Sequence, residues 1–180
     1  MKHKSSHTML LLFSLMASSL FGQNNVFIKD YLERLENSKK YLILVAESMP
    51  SEKYNYQATP ESMSFAENLM HIGWAMDWHS QTLLGEREER DWETDTELKV
   101  GNKSKEEMIA TIKNTFDVTL KFIEQFDVGK LDEELDYFGL NRTKRQILLL
   151  LADHITHHRG QMLVYLRLNG IVPPRYVLYQ

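Results

Sequence analysis

Apolar residues recur at three- and four-residue steps along most of the chain, the spacing that gathers them on one face of an α-helix. The first stripe runs from about residue 25 to 49 and ends at Pro50. After a polar loop, a second stripe opens where Ser64 stands three residues before Glu67, the spacing of a capping box. This stripe continues to about Gly85. The pattern predicts two amphipathic helices joined by a loop.

Two further helices begin with the same capping pattern. Ser104 and Glu107 introduce a third apolar stripe, which reaches about Phe126. Thr143 and Gln146 introduce a fourth, which carries the apolar runs ILLLLA and LVYLRL. The sequence therefore predicts four helices after residue 25.

The segments between and after these helices are polar or contain helix breakers. Residues 86–103 are highly charged and lack periodicity, which predicts a solvated connection between the second and third helices. The fourth helix is expected to continue to Asn169 and to stop at Gly170, with Pro173 and Pro174 preventing it from resuming. No segment shows a convincing strand pattern. The predicted fold class is all-α, a four-helix bundle in which each helix buries its apolar stripe.

The first 22 residues differ in kind from the rest. Lys2 and Lys4 precede a short apolar run, TMLLLFSLM, and small residues follow it. This order predicts a signal peptide over residues 1–22, cleaved after about residue 19 to 22. The run of roughly nine apolar residues is shorter than the roughly 18 that span a bilayer, so no stable membrane span is expected after cleavage. The alternative is an uncleaved anchor. The protein is expected to be exported, periplasmic or secreted, with its helical domain over residues 23–180.

Composition narrows the function classes. A chain of 180 residues is the size of one domain. Its net charge is −4, and removal of the predicted signal peptide, which contains two lysines and no acid, makes the charge more negative. Nucleic acid is therefore not an expected partner, because binding to phosphates needs a basic surface. The absence of cysteine excludes disulfides, thiolate nucleophiles and thiolate metal ligands. The domain must therefore be held together by the packing of its core alone.

Five histidines follow the predicted signal peptide, all in the second and fourth helices: His71, His79, His154, His157 and His158. Residues four apart lie about 40° from each other around a helix, so His154 and His158 can reach one ion together. His71 from a facing helix would complete a three-imidazole site with positions left open. The alternative is a pair of surface or satisfied core histidines. The apolar character of the fourth helix favours the metal site, because unpaired buried imidazoles are costly.

Other polar residues are candidates for supporting roles. His157 is expected to be exposed or to support a ligand, and His79 is expected to lie at the surface or rim. Asp153 or Gln161 is expected to orient an imidazole of the site. The alternative for Asp153 is a solvated helix acid.

Few residues are candidates for catalysis or for a cavity wall. Glu67, one turn before His71, is a candidate general base, and Tyr165 is a candidate hydrogen-bonding group. The alternative role of Glu67 is that of a helix-capping acid, and the alternative role of Tyr165 is that of a core aromatic residue. Trp74 and Trp78, one turn apart, are expected to pack in the core, and Trp78 would line a cavity if the metal faces one.

The stretches ENLMHIGWAMDWH and DHITHHRGQMLVYLRLNGIVPP, within a four-helix pattern, resemble the DinB family, which includes YfiT-like members. The resemblance covers about residues 25–176 and rests mainly on the His-x-x-x-His-Arg-Gly-Gln run. It implies a four-helix bundle, a divalent metal held by three histidines, and pairing into homodimers. Matched residue by residue, it places the ligands at His71, His154 and His158.

These observations together lead to an expected function. The chain is expected to be an exported protein that binds a divalent transition metal and acts on an unidentified small molecule as a metal-dependent hydrolase or transferase. Zinc is the first choice, with nickel, iron and manganese as alternatives. The alternative function is a non-catalytic binding or interaction module that the metal stabilises. The expected partners are the small-molecule substrate and a second copy of the chain.

Overall fold

The computed structural model describes the backbone of residues 4–176 and the side chains of residues 23–176. Within this part of the chain four α-helices form a bundle: α1 is Lys4–Ser48, α2 is Phe65–Asp77, α3 is Lys105–Glu124 and α4 is Lys144–Leu168. A π-helical turn, Trp78–Leu84, extends α2, and two 3₁₀ turns, Ser51–Lys53 and Val128–Lys130, lie in the connections. The predicted helical bundle is thus confirmed.

The first helix begins earlier than its apolar stripe predicted. The backbone of α1 is helical from Lys4, whereas the stripe predicted a start near residue 25. The stripe coincides with a part of α1 that packs on the bundle, where Ile28 and Leu35 are buried. The predicted signal peptide, residues 1–22, lies outside the residues whose side chains are described, so its removal stays a prediction. Among the described residues, no helix has both the length and the apolar content that a membrane crossing requires.

Hydrogen bonds at the helix starts confirm the three predicted capping boxes. In each, the side chain of the first residue accepts a hydrogen bond from the backbone N–H of the fourth, and the fourth side chain accepts one from the backbone N–H of the first. The pairs are Ser64 with Glu67, Ser104 with Glu107, and Thr143 with Gln146. Beyond the end of α4, Gly170 has a φ of 73°, a left-handed conformation that glycine adopts without strain.

The core lies between the apolar faces of the four helices. Each helix contributes fully buried side chains, among them Leu42, Ile72, Ile112 and Leu151. Burying one such side chain stabilises the fold by about 1.5–3 kcal/mol. α2 packs against both α3 and α4, and α1 packs against the same two helices. Consequently α2 and α4 lie side by side, and residues on their shared face meet.

The prediction that the chain contains no strand is wrong. A two-stranded antiparallel hairpin, β1 Glu134–Tyr137 and β2 Leu140–Thr143, precedes α4. Phe138 and Gly139 form its turn with φ values of 54° and 79°. Two central residues with positive φ match the twist of the flanking strands, which is why a tight turn fits here. Strands of four residues are too short for their alternation of apolar and polar residues to be recognised in the sequence.

Candidate metal centre

Three histidines meet on the face shared by α2 and α4. The ring centroids of His71 and His158 are 4.6 Å apart, those of His71 and His154 are 5.0 Å apart, and those of His154 and His158 are 4.5 Å apart. Each ring offers one nitrogen, and these nitrogens all lie within 4.8 Å of one another. The four-residue spacing aligns two rings on α4, and packing of α2 against α4 supplies the third. That this cluster binds a metal stays a prediction.

A buried asparagine sets the orientation of one imidazole. Asn68 is fully buried on α2, and its Nδ2 donates to the carbonyls of Met63, at 3.2 Å, and Ser64, at 2.9 Å. Its Oδ1 therefore accepts a hydrogen bond from Nδ1 of His158 at 2.9 Å. The neutral ring then carries its hydrogen on Nδ1, which leaves the lone pair of Nε2 free for a metal. Sequence reasoning missed Asn68; its only signal was a polar residue within the apolar stripe of α2.

Two buried nitrogens of the cluster have no hydrogen-bond partner in the described part of the chain. They are Nδ1 of His71 and Nε2 of His154. A buried polar group left in this state costs about 1–3 kcal/mol. Imidazole nitrogen is among the preferred ligands of divalent transition metals, and such an ion satisfies lone pairs that no donor reaches. The residues present therefore fit a metal ion held by three neutral nitrogen donors.

Burial keeps the imidazoles of the cluster uncharged. Burial first, and the neighbouring imidazoles second, lower the pKa of His154 to about 4 and that of His158 to about 3. Burial also lowers the pKa of His71 below its usual value. Near pH 7 all three rings therefore retain lone pairs that they can donate to a cation.

Of three polar neighbours on α4, His157 packs edge-on against His158, with ring centroids 4.9 Å apart, whereas Asp153 and Gln161 pair with residues outside the cluster. His157 is exposed, which confirms one of its two predicted placements. Nε2 of Gln161 donates to Nε2 of His157 at 2.9 Å, so its imidazole partner is His157 rather than a ring of the cluster. Asp153 is exposed and pairs with Arg34 at 3.5 Å. It is therefore a solvated helix acid, as its alternative interpretation proposed.

The prediction that His79 lies at the surface or rim is wrong, because the residue is 2% exposed. It lies in the π-helical turn, where its Nδ1 donates to the carbonyl of Ala75 at 2.7 Å. Its Nε2 then accepts a hydrogen bond from the hydroxyl of Tyr137 at 3.3 Å. The ring centroids of His79 and His154 are 6.2 Å apart. The hairpin covers this end of α2, which helical periodicity alone does not reveal.

The two catalytic candidates make structural hydrogen bonds. Oε2 of Glu67 accepts from the backbone N–H of Ser64 at 2.7 Å, as a capping box requires. Tyr165 is 4% exposed, and its hydroxyl donates to the carbonyl of Met63 at 2.9 Å. Glu67 is exposed and borders the same cavity as His71, so it keeps access to a small molecule. A catalytic role for either residue stays a prediction.

The prediction that Trp74 and Trp78 pack in the core is wrong. Both are half-buried and lie outside the hydrophobic core. Trp74 packs edge-on against Trp92, with ring centroids 4.4 Å apart. Trp78 packs against Tyr137 and Phe138 of the hairpin, at 5.7 and 5.5 Å between centroids. The two tryptophans thus support elements that cover α2 from outside the bundle.

The segment 86–103 is a mostly exposed connection without regular secondary structure, as its charge predicted, but it is also attached to the bundle. Arg90 pairs with Asp77, a buried residue of α2, at 3.1 Å. Trp92 lies beside His71, with ring centroids 6.4 Å apart. The charged residues therefore attach this segment to α2 next to the histidine cluster.

A cavity of about 300 Å³ lies between α2 and the segment 86–103, and His71 forms part of its wall. Its other walls are mainly apolar and include Met63, Met70 and Trp92. Trp78, which was expected to line a cavity at the metal, is not part of this wall. A small molecule in the cavity would therefore contact one member of the histidine cluster.

Comparison with known proteins places these features in a family. A model of the DinB family matches residues 20–179. The uncharacterized protein YjoA of Bacillus subtilis (strain 168) is 26% identical over 155 residues, covering 82% of this chain and 92% of YjoA.

Two crystal structures share the fold. A DinB-like protein, YjoA of Bacillus subtilis, has a TM-score of 0.66 and 23% identity, covering 84% of this chain and 99% of that chain. A DinB-like protein of Bacillus cereus ATCC 10987 has a TM-score of 0.63 and 20% identity, covering 83% of this chain and 94% of that chain. Since the family match spans nearly the whole sequence, the chain belongs to the DinB family.

Proposed function

We propose that this protein binds one divalent transition metal through His71, His154 and His158. Zinc is the preferred candidate. The protein would use the metal to act on a small molecule as a hydrolase or transferase. The observation that carries the proposal is the meeting of three histidines from two helices, with candidate ligand nitrogens within 4.8 Å of one another. Nitrogens bound to one zinc ion are each about 2.0–2.1 Å from it and thus at most about 4.2 Å apart, so nitrogens within 4.8 Å of one another reach a shared ion after at most small rotations of their side chains.

The surroundings of the cluster support the same proposal. Asn68 presents a lone pair of His158 for binding, as hydrogen-bonding partners of metal-ligating histidines commonly do. The unpartnered nitrogens of His71 and His154 offer two further donor atoms. Three neutral donors leave the double positive charge of a bound zinc ion uncompensated, so the ion supplies Lewis-acid chemistry. The cavity beside His71 gives a small molecule a place to bind.

The remaining parts of the proposal come from the sequence. Glu67 is the candidate proton acceptor, because it lies one turn before His71 and both residues line the cavity. Export rests on the signal-like residues 1–22 and the homodimer rests on the family resemblance.

Metal analysis tests the proposal directly. Untagged protein equilibrated with zinc and then dialysed is expected to retain close to one zinc ion per chain, measured by inductively coupled plasma mass spectrometry. His154→Ala and His158→Ala each remove one of three ligands and are expected to retain less than about a tenth of that amount. His157→Ala is the matched control, because His157 is an exposed imidazole on the same helix.

Two results would contradict the proposal. One is wild-type protein that retains no metal. The other is equal retention by wild type, His154→Ala and His158→Ala, because the zinc would then be bound elsewhere.

A further inference from the structure

The cavity beside His71 is the size of a compact organic ligand. Its volume is about 300 Å³. This lies at the lower end of the range of small-molecule sites, which begins at about 300 Å³. An apolar cavity of about 150 Å³ accommodates benzene, so a single ring with a short substituent fits here. The volume limits the buried part of a ligand to about that size.

The walls of the cavity favour an apolar ligand. Met63, Met70, Leu98 and Val100 supply aliphatic and thioether surface. Methionine side chains adapt their shape to a ligand and make favourable contacts with aromatic rings. Contact with these residues favours the binding of a ring or an alkyl group, since apolar surface removed from water stabilises a complex in proportion to its area.

Trp92 forms the aromatic wall of the cavity and connects it to the histidine cluster. Its ring packs edge-on against those of His71 and Trp74, at 6.4 and 4.4 Å between centroids. Nζ of Lys99 lies 4.9 Å from the centre of the Trp92 ring and donates to the carbonyl of Glu93 at 3.2 Å. Trp92 is 47% exposed, so part of its surface is available to a ligand.

Ion pairs attach the segment that carries Trp92. Nε of Arg90 lies 3.1 Å from the carboxylate of Asp77 on α2, and its Nη1 lies 2.9 Å from Asp95 and 2.8 Å from Glu97. Asp77 is 8% exposed, and Arg87 also pairs with it. These contacts connect the residues after Trp92 to Arg90, and Arg90 to α2, so a ligand does not have to order the wall on binding.

We propose that this cavity receives the ring-sized apolar body of the substrate, while a polar group of the same molecule reaches the three-histidine site past His71. The substrate class is therefore a small molecule with an aromatic or cyclic apolar body beside a metal-binding polar group. This inference rests on the proposed metal-dependent function, and it adds Trp92 as the residue that selects the substrate.

Two hydroxamates with the same metal-binding group test the inference. Acetohydroxamate carries a methyl group and benzohydroxamate carries a phenyl ring, so the ratio of their affinities reports on the apolar body. Isothermal titration calorimetry on zinc-loaded full-length protein, with zinc content measured first, is expected to show benzohydroxamate binding at least about tenfold more tightly. Trp92→Ala removes the aromatic wall and is expected to reduce this ratio to below about threefold.

A control variant and a second cavity variant distinguish a change in the cavity from a loss of folding. Phe138→Ala removes an aromatic residue that is 78% exposed and lies outside the cavity wall, and it is expected to keep the wild-type ratio. Val100→Phe fills the cavity and is expected to abolish the preference for the phenyl ring while zinc content is unchanged. If Trp92→Ala does not fold, the Val100→Phe result decides.

The outcomes separate the two proposals. Equal affinities for the two hydroxamates in zinc-loaded protein would overturn the substrate class and leave the metal site intact. An unchanged ratio in folded Trp92→Ala, or in Val100→Phe, would overturn the assignment of the cavity. Failure of the wild-type protein to take up zinc would overturn the proposed function, and this inference with it.

Discussion

The buried His79 and the neighbouring three-histidine cluster differ in how their imidazole nitrogens are satisfied. In His79 both nitrogens have hydrogen-bond partners, the carbonyl of Ala75 at 2.7 Å and the hydroxyl of Tyr137 at 3.3 Å. In the three-histidine cluster, Nδ1 of His71 and Nε2 of His154 have none within the described residues. The ring of His79 is 6.2 Å from that of His154, so both groups share one region of the bundle.

The difference distinguishes a structural histidine from a candidate ligand. Burial lowers the pKa of His79 and of the cluster histidines alike, so neutrality at pH 7 does not separate them. The hydrogen-bond partners of the ring nitrogens distinguish His79 from the cluster. An unsatisfied buried nitrogen costs about 1–3 kcal/mol, and two in one cluster are tolerated more easily if a bound ion satisfies them. Three experiments probe this distinction.

Zinc is expected to have the largest effect. At a free concentration about a thousand times its dissociation constant, zinc should raise the free energy of unfolding by about 4 kcal/mol, because it binds only the folded cluster. His79→Ala should start from a lower stability and keep the zinc-dependent increase, whereas His154→Ala should lose it. Urea denaturation with and without zinc measures both. The comparison fails if His79→Ala abolishes the increase or His154→Ala preserves it.

Loss of the hydrogen bond to His158 is expected to have an intermediate effect. Asn68→Ala should weaken zinc affinity by about 10- to 100-fold, since the ring of His158 loses the group that orients it. Asn37→Ala is the matched control, because Asn37 is a buried amide on α1 that donates to the carbonyl of Glu33 at 2.8 Å. Both variants should lower stability, but only the first should lose in competition with a zinc chelator. Equal zinc affinities would show that Asn68 serves the fold alone.

Removal of one hydroxyl is expected to have the smallest effect. Tyr137→Phe deletes the donor to Nε2 of His79 and should lower the free energy of unfolding by roughly 1 kcal/mol. Zinc affinity should stay within about twofold of wild type, because His79 already has its Nδ1 bond to Ala75 and is not a predicted ligand. Chemical denaturation and zinc titration test the two parts. A large loss of zinc affinity would mean that His79 belongs to the metal site.

The candidate ligands were accessible from the sequence for a specific reason. His154 and His158 are four residues apart on one helix, so helical geometry alone places them on a common face. His71 required the resemblance to a known family or the assumption of a facing helix. The structure brings all three rings together. Asn68 could not be selected in the same way, because its partner His158 is 90 residues away.

The incorrect predictions concern residues whose neighbours come from other elements. His79 was assigned to the surface because it lies away from the ligand face of α2, and the hairpin that buries it was not recognised. Its partner Tyr137 is 58 residues away. The prediction for residues 86–103 was incomplete: most of them are exposed, as their charge predicted, but Arg90 also pairs with Asp77 of α2. Composition reports which groups are charged and not which groups they meet.

By itself the sequence determined the starts of three helices, the end of the last helix, the bundle and the close approach of His154 to His158. Each of these depends on groups a few residues apart, as in the capping pair Ser64 and Glu67, or on a repeat along one helix. Only the tertiary structure decided which buried imidazoles have partners, what orients His158, and where a small molecule can reach His71. Those features depend on contacts between distant segments, which local periodicity does not contain.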